Sequence, residues 1–242
     1  MIKSIHSDLY RTFHRMYMLV LIIGMAGLAV AVNIALSSSS NPEMASVSTS
    51  WNLALGMLTF PMFILPMLVD IVFAEEYKEH TLKNTVSSNT DRTVLYISKT
   101  ITAILLGIIL AAVTYAVWCG SSLVFLHHDV HFTSQFIQDF LTRIISVCAD
   151  YIACIAVASF FAMILKRSSL FVFAYYGVVF FAKYIFTLFK VSSLSKFLLS
   201  EQVIVFERGS MAQMQNSILI CLITLIVFTV LGVVFFKKQD VS

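Results

Sequence analysis

The sequence predicts an all-α integral membrane protein with six transmembrane helices, both termini cytoplasmic, and an N-terminal amphipathic helix at the membrane interface. Three observations predict it. Of 242 residues, 59% are hydrophobic and 12% charged, where an ordinary soluble domain has about a quarter charged. The apolar residues gather into runs of roughly 20, the length a helix needs to cross a hydrocarbon core about 30 Å thick at 1.5 Å per residue. Lysine and arginine, finally, are concentrated in alternate loops, as short cytoplasmic loops require.

In residues 1–16, Ile5, Leu9, Phe13 and Met16 recur at helical spacing with Lys3, Asp8, Arg11 and Arg15 between them. That pattern reads as an amphipathic helix lying on the inner membrane surface, the alternative being a frayed basic terminus that only sets orientation. The spans are expected near 17–36, 53–74, 101–124, 144–165, 170–189 and 218–236, inside one domain of 17–236, with 237–242 a cytoplasmic tail. The first run is retained rather than a cleaved signal, because a signal's apolar core is shorter and five further spans follow. Residues 37–50 are serine-rich and form a short outer loop. Pro61 and Pro66 each remove a backbone hydrogen bond from span two and bend it. In span three, Ala103, Gly107 and Ala111 make a small-residue stripe that admits another helix, within the subunit or from a second one. The outer segment 190–217 keeps Leu194, Phe197, Leu198, Val203 and Phe206, so it is expected to form short re-entrant or interfacial helices.

Orientation follows from the positions of the cations. Lys3, Arg11, Arg15, Lys78, Lys83, Arg92, Lys99, Lys166, Arg167, Lys237 and Lys238 fall on one side of a six-span chain. Only Arg143, Lys190, Lys196 and Arg208 fall on the other, and Lys183 lies within a span. The richer side is cytoplasmic.

Ionisable groups inside spans are costly and usually paired or functional, which singles out Asp70, Asp150 and Lys183. Asp150 and Lys183 sit at similar depth on consecutive antiparallel spans, so an ion pair between them is the expectation, with a substrate path as the alternative. Asp70 is a turn from the cytoplasmic end, within reach of water. Cys119, Cys148, Cys154 and Cys221 lie within spans and show neither a disulfide framework nor zinc spacing. His127, His128 and His131 cluster on the outer side and read as loop histidines near the headgroups rather than as a metal site. No basic cluster suggests nucleic acid.

The cytoplasmic loop 75–100 balances four acidic residues (Glu75, Glu76, Glu79, Asp91) with four basic ones (Lys78, Lys83, Arg92, Lys99). Helix-favouring residues run to about Val86, Ser87 to Asn89 interrupt them, and Thr90 or Asp91 can cap a second helix. Glu76, His80 and Lys83 share one helical face, which suits docking against a soluble partner, with a solvated charged loop as the alternative. The pattern Glu76, Tyr77, Lys78, Thr81, Leu82 and Lys83, with Asp91, Arg92 and Thr93 later, resembles the loop after span two in permease subunits of type-2 ABC exporters. His80 stands where that family commonly has glycine.

The resemblance implies that Glu76, Tyr77, Lys78, His80, Thr81, Leu82, Lys83 and Arg92 couple the chain to a separate ABC ATPase subunit, beside a second permease copy or paralogue. In layout the chain is similar to permeases for lantibiotic or other antimicrobial-peptide export and immunity in the bacterial plasma membrane. A G-x-x-x-x-G-K-[ST] phosphate loop is absent from the sequence. The expectation is therefore a permease with no cofactor of its own, ATP and Mg belonging to the partner. Two other classes compete. One is a non-transporting sensor or assembly subunit. The other is an intramembrane protease, for which Glu75 and Glu76 open a suitable motif but position 80 is His instead of Arg.

Overall fold

A computed structural model describes residues 2–41, 43–78, 92–165 and 168–238. Helix α1 (Ile2–Phe13) leads through a tight corner into α2 (Met16–Ser37), the first span. Span two is a broken pair, α3 (Val47–Gly56) and α4 (Phe60–Lys78), the two halves bent by 56°. Spans three and four are α5 (Arg92–Phe125) and α6 (Ser134–Leu165). Span five is α7 (Ser168–Tyr176), a π-helical turn (Gly177–Phe181) and α8 (Ala182–Leu188). A 3₁₀ turn (Ser192–Phe197) and α9 (Leu199–Arg208) lead to span six, α10 (Met211–Lys238). Five helices are each long and apolar enough to cross a membrane, and the bent pair makes the sixth crossing.

The all-helical form follows from the solvent. Lipid offers the backbone no hydrogen bonds, so each crossing segment must satisfy its own. Among the described residues no strand forms; one isolated bridge joins Ser46 to His127. At 1.5 Å per residue, the 34 residues of α5 run about 51 Å. They overreach a hydrocarbon core about 30 Å thick, so the helix extends beyond it.

Both chain ends share one face of the bundle, called here the terminal face. There Gly232 of α10 lies against Tyr96 near the start of α5, and Ser4 of α1 meets Ser98, the two hydroxyls 3.4 Å apart. At the opposite face Val47 donates its amide to the His127 carbonyl at 3.1 Å. The core is built on spans three and four: span one packs on three, and spans two and six pack on four. Span one buries Met18, Met25, Ala29 and Asn33 along one stripe and leaves Val20 and Ile23 exposed, as a lipid-facing helix should.

Span two begins earlier than the sequence placed it. Its first helix starts at Val47, with Ser46 capping the Thr49 amide at 3.3 Å, because Val47, Ser48, Ser50 and Trp51 are buried instead of wet. The bend also falls at residues 57–59, ahead of both prolines, while Pro66 sits inside α4. Span five ends at Lys190, which takes a left-handed conformation (φ 56°) so that Val191 can donate back to the Phe186 carbonyl at 2.9 Å.

The small-residue stripe of span three packs inside the subunit. A Cβ on Gly107 would meet the Cδ1 of Ile155 at 2.7 Å and Leu65 at 3.5 Å. A Cβ on Gly232 would meet the Tyr96 ring at 2.1–2.8 Å, and that ring is fully buried. The Ile155 tip can rotate aside; the ring cannot. Gly232→Ala is therefore expected to destabilise by about 1–3 kcal/mol, the range for overpacking, and Gly107→Ala by distinctly less. Thermal unfolding of the two variants in detergent checks the order.

Candidate coupling end and the proline hinge

The arms that carry the loop are the end of α4 and the start of α5. His80, Thr81, Leu82, Lys83 and Asp91 lie outside the described residues, and Glu76, Tyr77 and Lys78 belong to the last turn of α4. Arg92 opens α5. Lys99, counted above with the loop, lies two turns inside α5 and is buried. The helix extends through it because Leu95, Lys99, Thr102, Ala103 and Leu106 fall at helical spacing on the packed face. That periodicity was visible in the sequence; the charge masked it.

The Lys99 ammonium donates to the Val72 carbonyl at 3.1 Å and sits 5.9 Å from the centre of the Phe73 ring. Phe73 in turn packs edge-on against Tyr96. One lysine thus ties the last turns of span two to the first turns of span three, so the two arms are joined inside the bundle. Helix α1 lies across the same place: it packs on α5 and α4, with Asp8 buried and the Thr12 hydroxyl donating to the Asp8 carbonyl at 2.8 Å.

The expected pair of Asp150 and Lys183 does not form. Lys183 binds Glu201 of α9 at 2.5 Å and is half exposed. Asp150 is fully buried and accepts from the thiols of Cys221 at 3.5 Å and Cys154 at 3.9 Å. Matching depth said nothing of azimuth: Asp150 faces span six, and the π-helical turn just before Lys183 resets the face that span five presents. Asp70 lines a separate cleft between spans one, two and five.

A site the sequence reading missed lies mid-membrane. Pro66 has no N–H, so the Met62 carbonyl loses its helical donor. The Tyr175 hydroxyl replaces it at 2.9 Å. At the 57–59 break the Met62 amide turns to the Thr59 carbonyl, which leaves the Leu58 carbonyl over, and the Tyr151 hydroxyl donates to it at 2.7 Å. Tyr176 adds a bond to the Phe63 carbonyl at 2.7 Å, and Tyr115 meets Tyr151 at 3.0 Å. Tyrosines of spans four and five thus hold the broken span two by its orphaned carbonyls. The prolines were a signal for this: each freed carbonyl in lipid calls for a donor from a neighbour.

At the opposite face the first half of span two is fixed more firmly. Asn33 donates to the Trp118 carbonyl at 3.0 Å and to Ser121 at 2.7 Å, and accepts from Ser50 at 2.6 Å. Trp118 donates to the Ser50 hydroxyl at 3.0 Å, and Trp51 to Ser122 at 2.9 Å. Beyond this knot, Ser48 donates to Asp129 through its hydroxyl at 2.5 Å and its amide at 3.4 Å. Slight desolvation acts to raise the Asp129 pKa, but these bonds outweigh it and hold the carboxyl below its usual range. His127 and His131 border the same open cleft, and His128 packs on Phe132. Among the described residues no group of three His, Cys, Asp or Glu is placed to hold a metal.

Fold and site together define an all-helical, multi-pass membrane protein whose polar loop is mounted on two helical arms tied to each other. The chain belongs to the ABC-2 transporter family: the profile described as ABC-2 family transporter protein matches residues 13–175, about two thirds of the 242. It is accordingly the membrane component of an ABC transporter, and membership implies an ABC ATPase partner. Permease subunits of this family are typically non-catalytic. No match is found among curated proteins.

Tyr175→Phe leaves the Met62 carbonyl without its donor, and an unsatisfied buried acceptor costs about 1–3 kcal/mol. Pro66→Ala restores the helical N–H to that carbonyl. In a double-mutant cycle read by unfolding, Tyr175→Phe is expected to cost less in the Pro66→Ala background than alone. Equal costs in both backgrounds would show that the hydroxyl does not serve the carbonyl the proline frees.

Proposed function

We propose that the chain is the permease subunit of an ATP-driven exporter that moves an amphipathic or antimicrobial peptide out of a bacterial cell, for secretion or self-immunity. In this reading it sits in the plasma membrane with its terminal face toward the cytoplasm. It works with a second permease copy or paralogue and with ATPase subunits that hold ATP and Mg. The observation that carries the reading is the bond from Lys99 to the Val72 carbonyl, because a push on a loop reaches the membrane only if the arms bearing it move together.

The mechanism is mechanical. Closure of the ATPase pair on nucleotide presses on the loop at Glu76, Tyr77, Lys78, His80, Thr81, Leu82, Lys83 and Arg92. The arms carry the displacement into α4 and α5. Span two is already broken at 57–59 and bent by 56°, so its α4 half is free to tilt about that break while α3 stays fixed by its polar knot. Movements of this hinge type are a common means of switching. The substrate class is supported by the apolar clefts between the spans and by resemblance of layout.

Affinity purification from native membranes tests the reading. An ATPase subunit is expected with the wild type and is expected to be lost with Glu76→Ala, Thr81→Ala. Lys99→Met, which keeps the stem and removes the tie, is expected to retain the ATPase while transport falls by roughly 5- to 150-fold, the span of ordinary coupling free energies. If no ATPase accompanies the wild type, the reading fails.

A further inference from the structure

We propose that the cleft at Asp70 is a binding site for the positively charged group of a transported cationic amphiphile, which it receives from the membrane side. The cleft is open at its mouth, comprises about 930 Å³ of empty space with that mouth included, and is bordered by Tyr17 and Val20 of span one, Met67, Asp70 and Ile71 of span two, and Val172 of span five. Among the described residues, every side chain in that wall other than Asp70 and the Tyr17 hydroxyl is apolar. Val20 and Met67 are exposed on the outside of the bundle, where lipid lies, so the cleft opens sideways to the hydrocarbon.

Asp70 is the anomaly in it. Its Oδ1 is buried and accepts no hydrogen bond from any described residue. A carboxylate held so, within a span, carries a desolvation cost that a neighbouring cation offsets. Among the described residues, the other charged groups deep in the spans are provided for: Lys183 has Glu201, Asp150 has two thiols, and Lys99 has the Val72 carbonyl. The larger aromatic cleft beside Lys183 holds a charge pair already satisfied, so it selects for no net charge. The Asp70 cleft offers one carboxylate, the Tyr17 hydroxyl and an apolar bed. Its complement is an ammonium or guanidinium on an apolar body.

Position suits the role. Asp70 lies eight residues before the end of α4 at Lys78, about 12 Å along the axis, and Tyr17 is in the first turn of α2. The cleft therefore sits toward the terminal face, on the α4 half of span two that follows the break. The inference rests on the proposed transport function and adds the charge of the substrate to it.

The test uses the full chain in phosphatidylcholine nanodiscs and a dansyl-labelled dodecylammonium probe, with the uncharged dansyl-dodecanol analogue as reference. Wild type is expected to bind the cation about tenfold or more tightly than the neutral analogue, the scale of a close charge pair shielded from water. Asp70→Asn is expected to erase the preference, and Asp70→Glu to keep it, which separates loss of charge from loss of fold. Equal affinity for the two probes in wild type overturns the proposal, as does a preference that survives Asp70→Asn. Displacement of the cation by phosphatidylethanolamine assigns the cleft to a lipid headgroup and overturns it too. So does a change in self-association on Asp70→Asn with probe binding intact, which gives the cleft to a second copy. An Asp70-dependent preference in a chain that recruits no ATPase upholds the site while the transport reading fails.

Discussion

A carbonyl left without a donor in hydrocarbon costs several kcal/mol, and span two leaves two of them. The Leu58 and Met62 carbonyls lose their helical partners at the break and at Pro66, and Tyr151 and Tyr175 supply new ones. The rest of the bundle is arranged around that repair. Span four must present Tyr151 toward the break, which turns Asp150, one residue earlier, toward span six and the Cys221 thiol. Span five must present Tyr175 and Tyr176 to successive carbonyls of span two, and the π-helical turn follows directly. The broken span thus sets the rotation of two neighbours.

The repair also differs in kind from the packing around it. A hydroxyl bonded to a carbonyl is one bond at one point, whereas the interlocked side chains of spans three and four cannot shift without opening voids. The Leu58 and Met62 carbonyls are each satisfied by one such bond at the break. Lys99 has the complementary part. It converts two helix ends that meet the loop separately into a single body, and α1, packed on both, extends that body.

The class of fold was legible because the membrane imposes it: the apolar runs are long, their number is even, and the charge distribution agrees with both. The break in span two was legible only as a bend, since Pro61 and Pro66 are plain in the sequence while the turn at 57–59 depends on how Trp51 and Ser50 pack against span three. Helical spacing through Leu95, Lys99 and Thr102 marked Lys99 as part of a packed face, yet a lysine near a loop was read by its charge. The pairing of Asp150 with Lys183 failed for a related reason. Sequence gives depth along a span and leaves azimuth open, and azimuth here is fixed by tyrosines on other residues of the same helices. The loop motif at Glu76 to Lys83, the strongest functional signal in the sequence, falls largely outside the described residues.

The two ends of span two are held by different chemistry, and that asymmetry decides which half can move. Val47–Gly56 is bound through Ser50, Trp51 and Ser48 to Asn33, Trp118, Ser122 and Asp129, several bonds to spans one and three and the loop beyond them. Phe60–Lys78 is bound to span five by two tyrosine hydroxyls and to span three by one lysine, while Tyr151 of span four holds Leu58 in the break. In the proposed mechanism, a displacement arriving from the loop enters the less tethered half and stops at the knot. Under the proposed function the moving segment is therefore α4, and the surfaces it would alter are those it shares with spans one and five. The cleft at Asp70 is one of them. A site bordered by the moving helix changes shape with it, whereas the cleft beside Asp129 is anchored to the half that stays.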